Sequence, residues 1–182
     1  FVVIVSKTGS MAEDFVVRMR DELSSNRRLK MFYGEKIEDA IDAVDGQWTR
    51  AAFKFNGCYI LGVGSGQMIR GRVKGAYRPT CLIFDDLYDE NNITDTQRRT
   101  IKNWFYAGAM NTLDDLMGKA LLAGTILHED TVVVECMNSS MWKSVKFYPM
   151  PFEKFKKLLT HLKINEANRI CQLPFEEIPN EI

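Results

Sequence analysis

Two adjacent carboxylates, Asp85 and Asp86, follow directly on the apolar run Cys81-Leu82-Ile83-Phe84. A short continuous apolar run reads as a strand buried on both faces, as in a parallel sheet covered by helices. Charges at the carboxyl end of such a strand lie where open α/β sheets bind their ligands. Two neighbouring carboxylates there can act in concert. One holds a hard divalent cation, often through water, and the next orients or deprotonates an attacking water. Taken alone, the same pattern also describes an ordinary strand followed by an acidic turn.

Two other stretches bear on that choice. Residues 67–78, Gln-Met-Ile-Arg-Gly-Arg-Val-Lys-Gly-Ala-Tyr-Arg, hold four basic residues interleaved with two glycines. Such a run is either a solvated basic loop or a loop that presents arginine to a phosphate. Gly124-Thr125 puts a hydroxyl at the exit of a further apolar run, Ala120-Leu121-Leu122-Ala123. Two glycine-containing stretches are weaker. Lys7-Thr8-Gly9-Ser10 has the wrong order for a phosphate loop, and G-x-x-x-x-G-K-[ST] occurs nowhere in the chain. Gly62-Val63-Gly64-Ser65-Gly66-Gln67 does not give G-x-G-x-x-G and reads as a flexible exit from a hairpin.

The chain that must position these groups has 182 residues, enough for one domain with an appendage and a real core. Its hydrophobic fraction of 46% and charged fraction of 26% are those of a soluble globular protein. Lys+Arg and Asp+Glu balance at 24 each, so contact with a polyanion would need a local patch. Cys58, Cys81, Cys136 and Cys171 are widely spaced without C-x-x-C, and only His128 and His161 could join them, which argues against zinc and for reduced thiols. No apolar run approaches the ~18 residues of a membrane span, and no signal peptide is present. The first residues, Phe1-Val2-Val3-Ile4-Val5, already lie inside an apolar run with no Met, so the chain reads as cut from something longer.

In chain order, residues 1–6 predict a buried strand. Ser10 with Glu13 fits a capping box, and Ala12, Phe15, Val16, Met19 and Leu23 mark one helix face behind it. Residues 29–32 read as a second short strand, and Ile37, Ala40, Ile41 and Val44 as a short helix. Asn56-Gly57 between residues 51–55 and 58–63 predicts a hairpin with a type I′ turn. Thr94 with Gln97 is a second capping box, opening a helix to about residue 116 with Ile101, Trp104 and Phe105 on one face. Residues 131–137 are ambiguous between helix and strand, and residues 142–148 alternate like a strand. A last helix carries Phe152, Phe155, Leu158, Leu159 and Leu162, and a Pro- and Glu-containing tail reads as a linker. The strands at residues 1–5, 82–85 and 121–124 are joined by helical segments. That grammar makes them neighbouring parallel strands with their ends on one edge.

Taken together, Ile69-Arg70-Gly71, then Arg78-Pro79 leading into Leu82-Ile83-Phe84-Asp85-Asp86, then Gly124-Thr125-Ile126-Leu127-His128 resemble the ATPase domain of the large terminase subunit, the DNA-packaging motor of tailed bacteriophages. The resemblance extends over most of residues 1–148. Each stretch is short, but their joint order is specific. It implies an α/β fold with a RecA-like P-loop ATPase core: a mixed, mainly parallel sheet with helices on both faces. In that family the hydrophobic strand with its acidic pair is the Walker B motif. The resemblance gives Asp85 the Mg²⁺ and Asp86 the attacking water. The family usually has Glu in the second position, so the side chain here is shorter by one methylene. It gives Gly124 and Thr125 the coupling motif that senses the γ-phosphate of ATP, and Arg70 the finger that reaches a neighbouring subunit's ATP.

The implied cofactors are ATP and Mg²⁺. The implied partners are double-stranded DNA, the portal protein, the small terminase subunit and further copies in a homo-oligomeric ring, with no membrane, in the host cytoplasm. Residues 1–148 would be the interior of the ATPase core, and residues 149–182 a helical extension and linker toward a nuclease domain. The family's Walker A phosphate loop would precede Phe1, so the chain lacks that N-terminal segment. By itself it is expected to bind ATP weakly or not at all and to be inactive. A degenerate protein that has lost hydrolysis is the alternative to a fragment. Another nucleic-acid-dependent P-loop ATPase, helicase-like, is the rival within the class, though no helicase-like arginine motif follows residue 130. A non-catalytic assembly or binding module is the rival outside it.

Overall fold

The computed structural model of the protein describes residues 1–34, 37–69, 78–89 and 93–147. The chain divides into a unit Phe1–Glu135 and a second unit Cys136–Ile182. The first unit is built on a six-stranded sheet with the order β2-β3-β4-β1-β5-β6. Its strands are β1 (Val2–Ser6), β2 (Ile41–Asp42), β3 (Ala52–Phe55), β4 (Cys58–Gly64), β5 (Cys81–Asp85) and β6 (Lys119–Ala123). β1 lies parallel between β4 and β5, and β5 is parallel to β6. The expected trio of parallel strands is therefore present, with β1, β5 and β6 side by side. β2 and β3 run antiparallel to their neighbours, which makes the sheet mixed.

β1, β3 and β4 bury residues on both faces. β5, expected to be buried on both, buries Leu82 and Phe84 on one face and leaves Cys81, Ile83 and Asp85 on the other only half-buried. In β1, Val3 and Val5 are fully buried on one face, while Ile4 lies on the other in a cluster with Ile60, Phe53 and Val16. Helix α1 (Gly9–Ser25) covers this second face, its Ala12 and Val16 fully buried. Gly62 permits the close seat, since a Cβ there would stand 2.7 Å from the Ala12 carbonyl oxygen. Helix α3 (Asp95–Asn103) and the π-helical stretch Trp104–Ala109 that continues it serve the opposite face. There the Phe84 ring of β5 meets Phe105 at 4.8 Å and the edge of Trp104 at 6.4 Å between centroids. Helical segments thus cover both faces of a mixed α/β sheet.

The Asn56-Gly57 hairpin forms as expected, with φ of 47° and 76° at its two central residues, the left-handed pair that a type I′ turn needs. The Thr94–Gln97 capping box is present in both directions. The first helix is capped earlier than the sequence suggests: the Thr8 hydroxyl, not Ser10, accepts from the Met11 N–H.

Residues 29–32 are not a strand. They belong to α2 (Arg27–Tyr33), where the Asn26 side chain accepts from the Arg28 and Leu29 N–H groups and Gly34, at φ 104°, ends the helix. The apolar run that suggested a strand is solvent-facing, with Met31, Phe32 and Tyr33 all exposed. The short helix expected from residue 37 is one 3₁₀ turn, Ile37–Ala40, before the chain turns into the edge strand β2. Gly62 and Gly64 extend β4 rather than leaving it, and only Ser65-Gly66 forms the turn.

The helix opened by Thr94 ends at residue 112 rather than 116. Its register shifts to π at Trp104–Ala109 and to 3₁₀ at Met110–Thr112. Gly108 faces the Trp104 ring, where a Cβ would stand 3.3 Å from Cδ1. Residues 131–137 resolve as helix, in α4 (Val132–Asn138). In the second unit, residues 142–147 form no strand, and turn hydrogen bonds run from the Ser139 N–H to the Cys136 carbonyl and from Trp142 to Ser139. Arg70, the rest of the basic stretch to residue 77, and the expected last helix and tail lie outside the described residues. Among those described, no helix is long and apolar enough to cross a membrane.

Candidate functional site at the carboxyl edge of the sheet

The parallel registers bring the acidic pair and the Gly-Thr pair together. Asp85 stands opposite Ala123, the last residue of β6, and the Asp86 N–H donates to the Ala123 carbonyl at 3.2 Å. Gly124 and Thr125 leave β6 at that point, beside Asp86. A Cβ on Gly124 would stand 3.6 Å from Asp86 Oδ1, so the bare glycine keeps the space next to that carboxylate open. Thr125 is exposed. Of the residues singled out from the sequence, Asp85, Asp86, Gly124 and Thr125 therefore converge on one edge, while Arg70 lies outside the described residues.

Asp86 has φ of 43°, one of the few non-glycine residues here in the left-handed region. Asp tolerates that conformation better than most side chains, yet it still strains the backbone, and such strain is concentrated at functional sites. The next two residues hold the turn. Leu87 and Tyr88 are buried, and the Tyr88 hydroxyl accepts from the Val132 N–H at 3.1 Å, which fixes the start of α4. Burial pushes the Tyr88 phenol up. Burial also raises the Asp85 carboxyl above its ordinary value, with the Asp86 charge adding to the effect. An acid raised by desolvation and by a like charge gains most from a bound cation.

The neighbouring strand supplies residues to the same edge. Ser6 ends β1 opposite Asp85 on one side and Gly64 on the other. Lys7 pairs with Asp89 at 3.2 Å, tying the exit of β1 to the exit of β5. Gly64 accepts the first turn of α1 directly against the sheet: a Cβ on it would stand 2.5 Å from the Gly9 nitrogen. The Gln67 side chain accepts from the Gly64 N–H at 3.0 Å, and its carbonyl accepts from Trp104 Nε1 at 2.7 Å, which fixes the turn that leads toward Arg70. Ile69 beside it is buried.

The loop after Thr125 is moored by charge. Asp130 accepts from Lys102 and from Arg98 Nε, and Lys102 also donates to Glu135 at 2.5 Å. Hydrogen bonds from Lys102 and then Arg98 hold the Asp130 carboxyl below its ordinary value. Arg98 is buried and also donates to Asp95 and to the Ile93 carbonyl. Arg78 and Pro79 lie at the other end of β5, where Arg78 pairs with Asp115 at 3.0 Å and takes no part in this edge.

The donor set fits a hard cation of the Mg²⁺ type, which binds through one or two carboxylates and keeps several waters. Among the described residues no cluster of three or more His, Cys, Asp or Glu converges, so water or a ligand's oxygens would complete the shell. Ser6, the register partner of Asp85 on β1, carries a buried hydroxyl that has no partner among the described residues. No residue pattern for a triphosphate cradle exists in the sequence. Sequence reasoning passed over Ser6 and Asp89, and weighed Lys7 only within a phosphate-loop pattern whose order was wrong. The polar break after Val5 was the available signal for Ser6 and Lys7, and Asp89 carried none beyond its nearness to the acidic pair. Neither a family model nor a curated protein matches the sequence.

Proposed function

We propose that this chain is part of a Mg²⁺-dependent ATPase with a RecA-like core, of the kind found in the large terminase subunit, and serves the motor that packages double-stranded viral DNA into a procapsid. One observation supports the reading above others: Asp85-Asp86 and Gly124-Thr125 leave neighbouring parallel strands at the same edge, with Gly124 leaving room beside Asp86. Bound Mg-ATP would supply the phosphoryl group and the charge neutralisation for in-line attack by water.

In this reading Asp85 holds the metal, and its raised protonation tendency is relieved when it does so. Asp86 orients the attacking water and accepts its proton, and Thr125 offers a hydroxyl to the terminal phosphate. Arg70 acts on the site of an adjacent copy in the ring. Portal protein and small subunit complete the machine in the host cytoplasm. In this reading a segment other than these 182 residues supplies the phosphate cradle, since G-x-x-x-x-G-K-[ST] does not occur among them.

The test uses a protein that carries this chain together with such a cradle. Asp86→Asn is expected to abolish turnover while sparing nucleotide binding, because it removes the base and keeps the shape. Asp85→Asn is expected to weaken Mg²⁺-dependent nucleotide binding as well. Turnover at the parental rate in Asp86→Asn refutes the assignment.

A further inference from the structure

We propose that Ser6 is a positioning residue for the acidic pair: its hydroxyl donates to the Asp85 carboxylate when that carboxylate holds a divalent cation, and so selects the oxygen that faces the metal. The inference rests on the metal-holding role given to Asp85 above. Three observations carry it. Ser6 is fully buried, and its Oγ has no hydrogen-bond partner among the described residues. An unpaired buried hydroxyl is destabilising, so an apolar residue at this strand end would fold more securely. Ser6 and Asp85 are also register partners on adjacent parallel strands, ~4.8 Å apart at the backbone, with side chains on the same face.

The surroundings leave the hydroxyl few other partners. On its far side the register partner is Gly64, which offers no side chain. The first turn of α1 lies directly against Gly64, close enough that a Cβ there would stand 3.0 Å from the Thr8 carbonyl carbon. The Thr8 hydroxyl is already engaged with the Met11 N–H and with Ser10. The Ser6 carbonyl is taken by the Ser65 N–H at 2.8 Å, and the Ser65 hydroxyl by the Lys7 carbonyl. Of the described residues named here, Asp85 has acceptor capacity to spare, and a hydrogen-bond donor behind a metal-bound carboxylate fixes its orientation.

The experiment is a titration of the 182-residue chain with Mn²⁺ alone, read by the electron paramagnetic resonance signal of free Mn²⁺, on parent, Ser6→Ala, Ser6→Cys and Asp85→Asn, with a thermal melt of each. Ser6→Ala and Ser6→Cys are expected to weaken Mn²⁺ binding about 10–100-fold. The melting temperature of Ser6→Ala without metal should equal or exceed that of the parent. Ser6→Cys fills the site with a larger group that donates only weakly, whereas Ser6→Ala leaves a small gap, so a loss in both variants follows the strong donor and not the filling of the site. Asp85→Asn should remove the binding. If Asp85→Asn weakens binding and both Ser6 variants match the parent, the Ser6 inference is refuted and the metal role of Asp85 stands. If the parent binds no Mn²⁺, or Asp85→Asn binds as the parent does, the reading of Asp85 fails and this inference with it. A melting temperature of Ser6→Ala clearly below that of the parent shows a structural hydrogen bond and overturns the proposal.

Discussion

Gly64→Ala asks how closely the first turn of α1 is seated on the carboxyl edge. The added methyl would stand 2.5 Å from the Gly9 nitrogen and 3.2 Å from its Cα, where ordinary contact begins near 3.4 Å. Both atoms are backbone, so no side chain can swing aside, and the turn must lift by roughly 1 Å. A gap of that size forfeits about a quarter to a half of the dispersion well for each contact it opens. Ala12 and Val16, both fully buried, ride on the same helix. Ala in place of Gly in a strand returns about 0.4–1 kcal/mol through the unfolded chain. Overpacking against backbone outweighs it, for a net loss of about 2–3 kcal/mol. For a chain of this size that lowers the melting temperature by about 5–10 °C.

Urea denaturation followed by far-UV circular dichroism measures the effect, with Gly66→Ala as control. Gly66 has φ of 80° and nothing within 4 Å of the place a methyl would occupy, so its substitution carries only the conformational penalty of about 1–2 kcal/mol. A Gly64→Ala protein that loses no more than Gly66→Ala would refute the close seat.

Phe84→Ala removes a ring that is fully buried between β5 and the π-helical stretch, and is expected to destabilise by about 3–5 kcal/mol in the same assay. A loss below ~1 kcal/mol would mean that this face is not packed as described. Asp130→Asn tests the charge mooring of the loop after Thr125. Because Lys102, and then Arg98, hold the Asp130 carboxyl below 3.8, its stabilisation is present above that pH and is lost as pH falls through the still lower folded value. The parent should therefore melt a few degrees above Asp130→Asn at neutral pH, and the difference should close below pH 3.8 and shrink in high salt. A difference that persists unchanged into acid would refute the ionic mooring.

Much of the site was legible because strand grammar is local. An apolar run that ends in Asp85-Asp86, and another that ends in Gly124-Thr125, each specify a strand and its exit, and helical connections make such strands parallel. Parallel strands place those exits on one edge, as the register of β5 and β6 bears out. Ser6 was not legible. Its meaning depends on Asp85 and Gly64 as lateral neighbours, and lateral neighbours in a parallel sheet are far apart in the chain.

The sequence by itself determined the pieces whose signals are carried within a few residues. The Asn56-Gly57 turn, the Thr94–Gln97 capping box and the β-branched core of β1 all formed as read. Tertiary structure decided the rest, because the deciding partner lay elsewhere in the chain or in the solvent. Residues 29–32 read as a short strand, but no sheet edge among the described residues receives them, and the Asn26 cap and Gly34 stop make them a helix with its aromatics in water. Residues 131–137 fit helix or strand equally. They became α4, whose first N–H is taken by the hydroxyl of Tyr88, 44 residues earlier. The order β2-β3-β4-β1-β5-β6 likewise sets side by side strands that are far apart in the chain, and α1 and the Trp104–Ala109 stretch cover its two faces. Covering a face is a property of packed elements, and no window of sequence contains it.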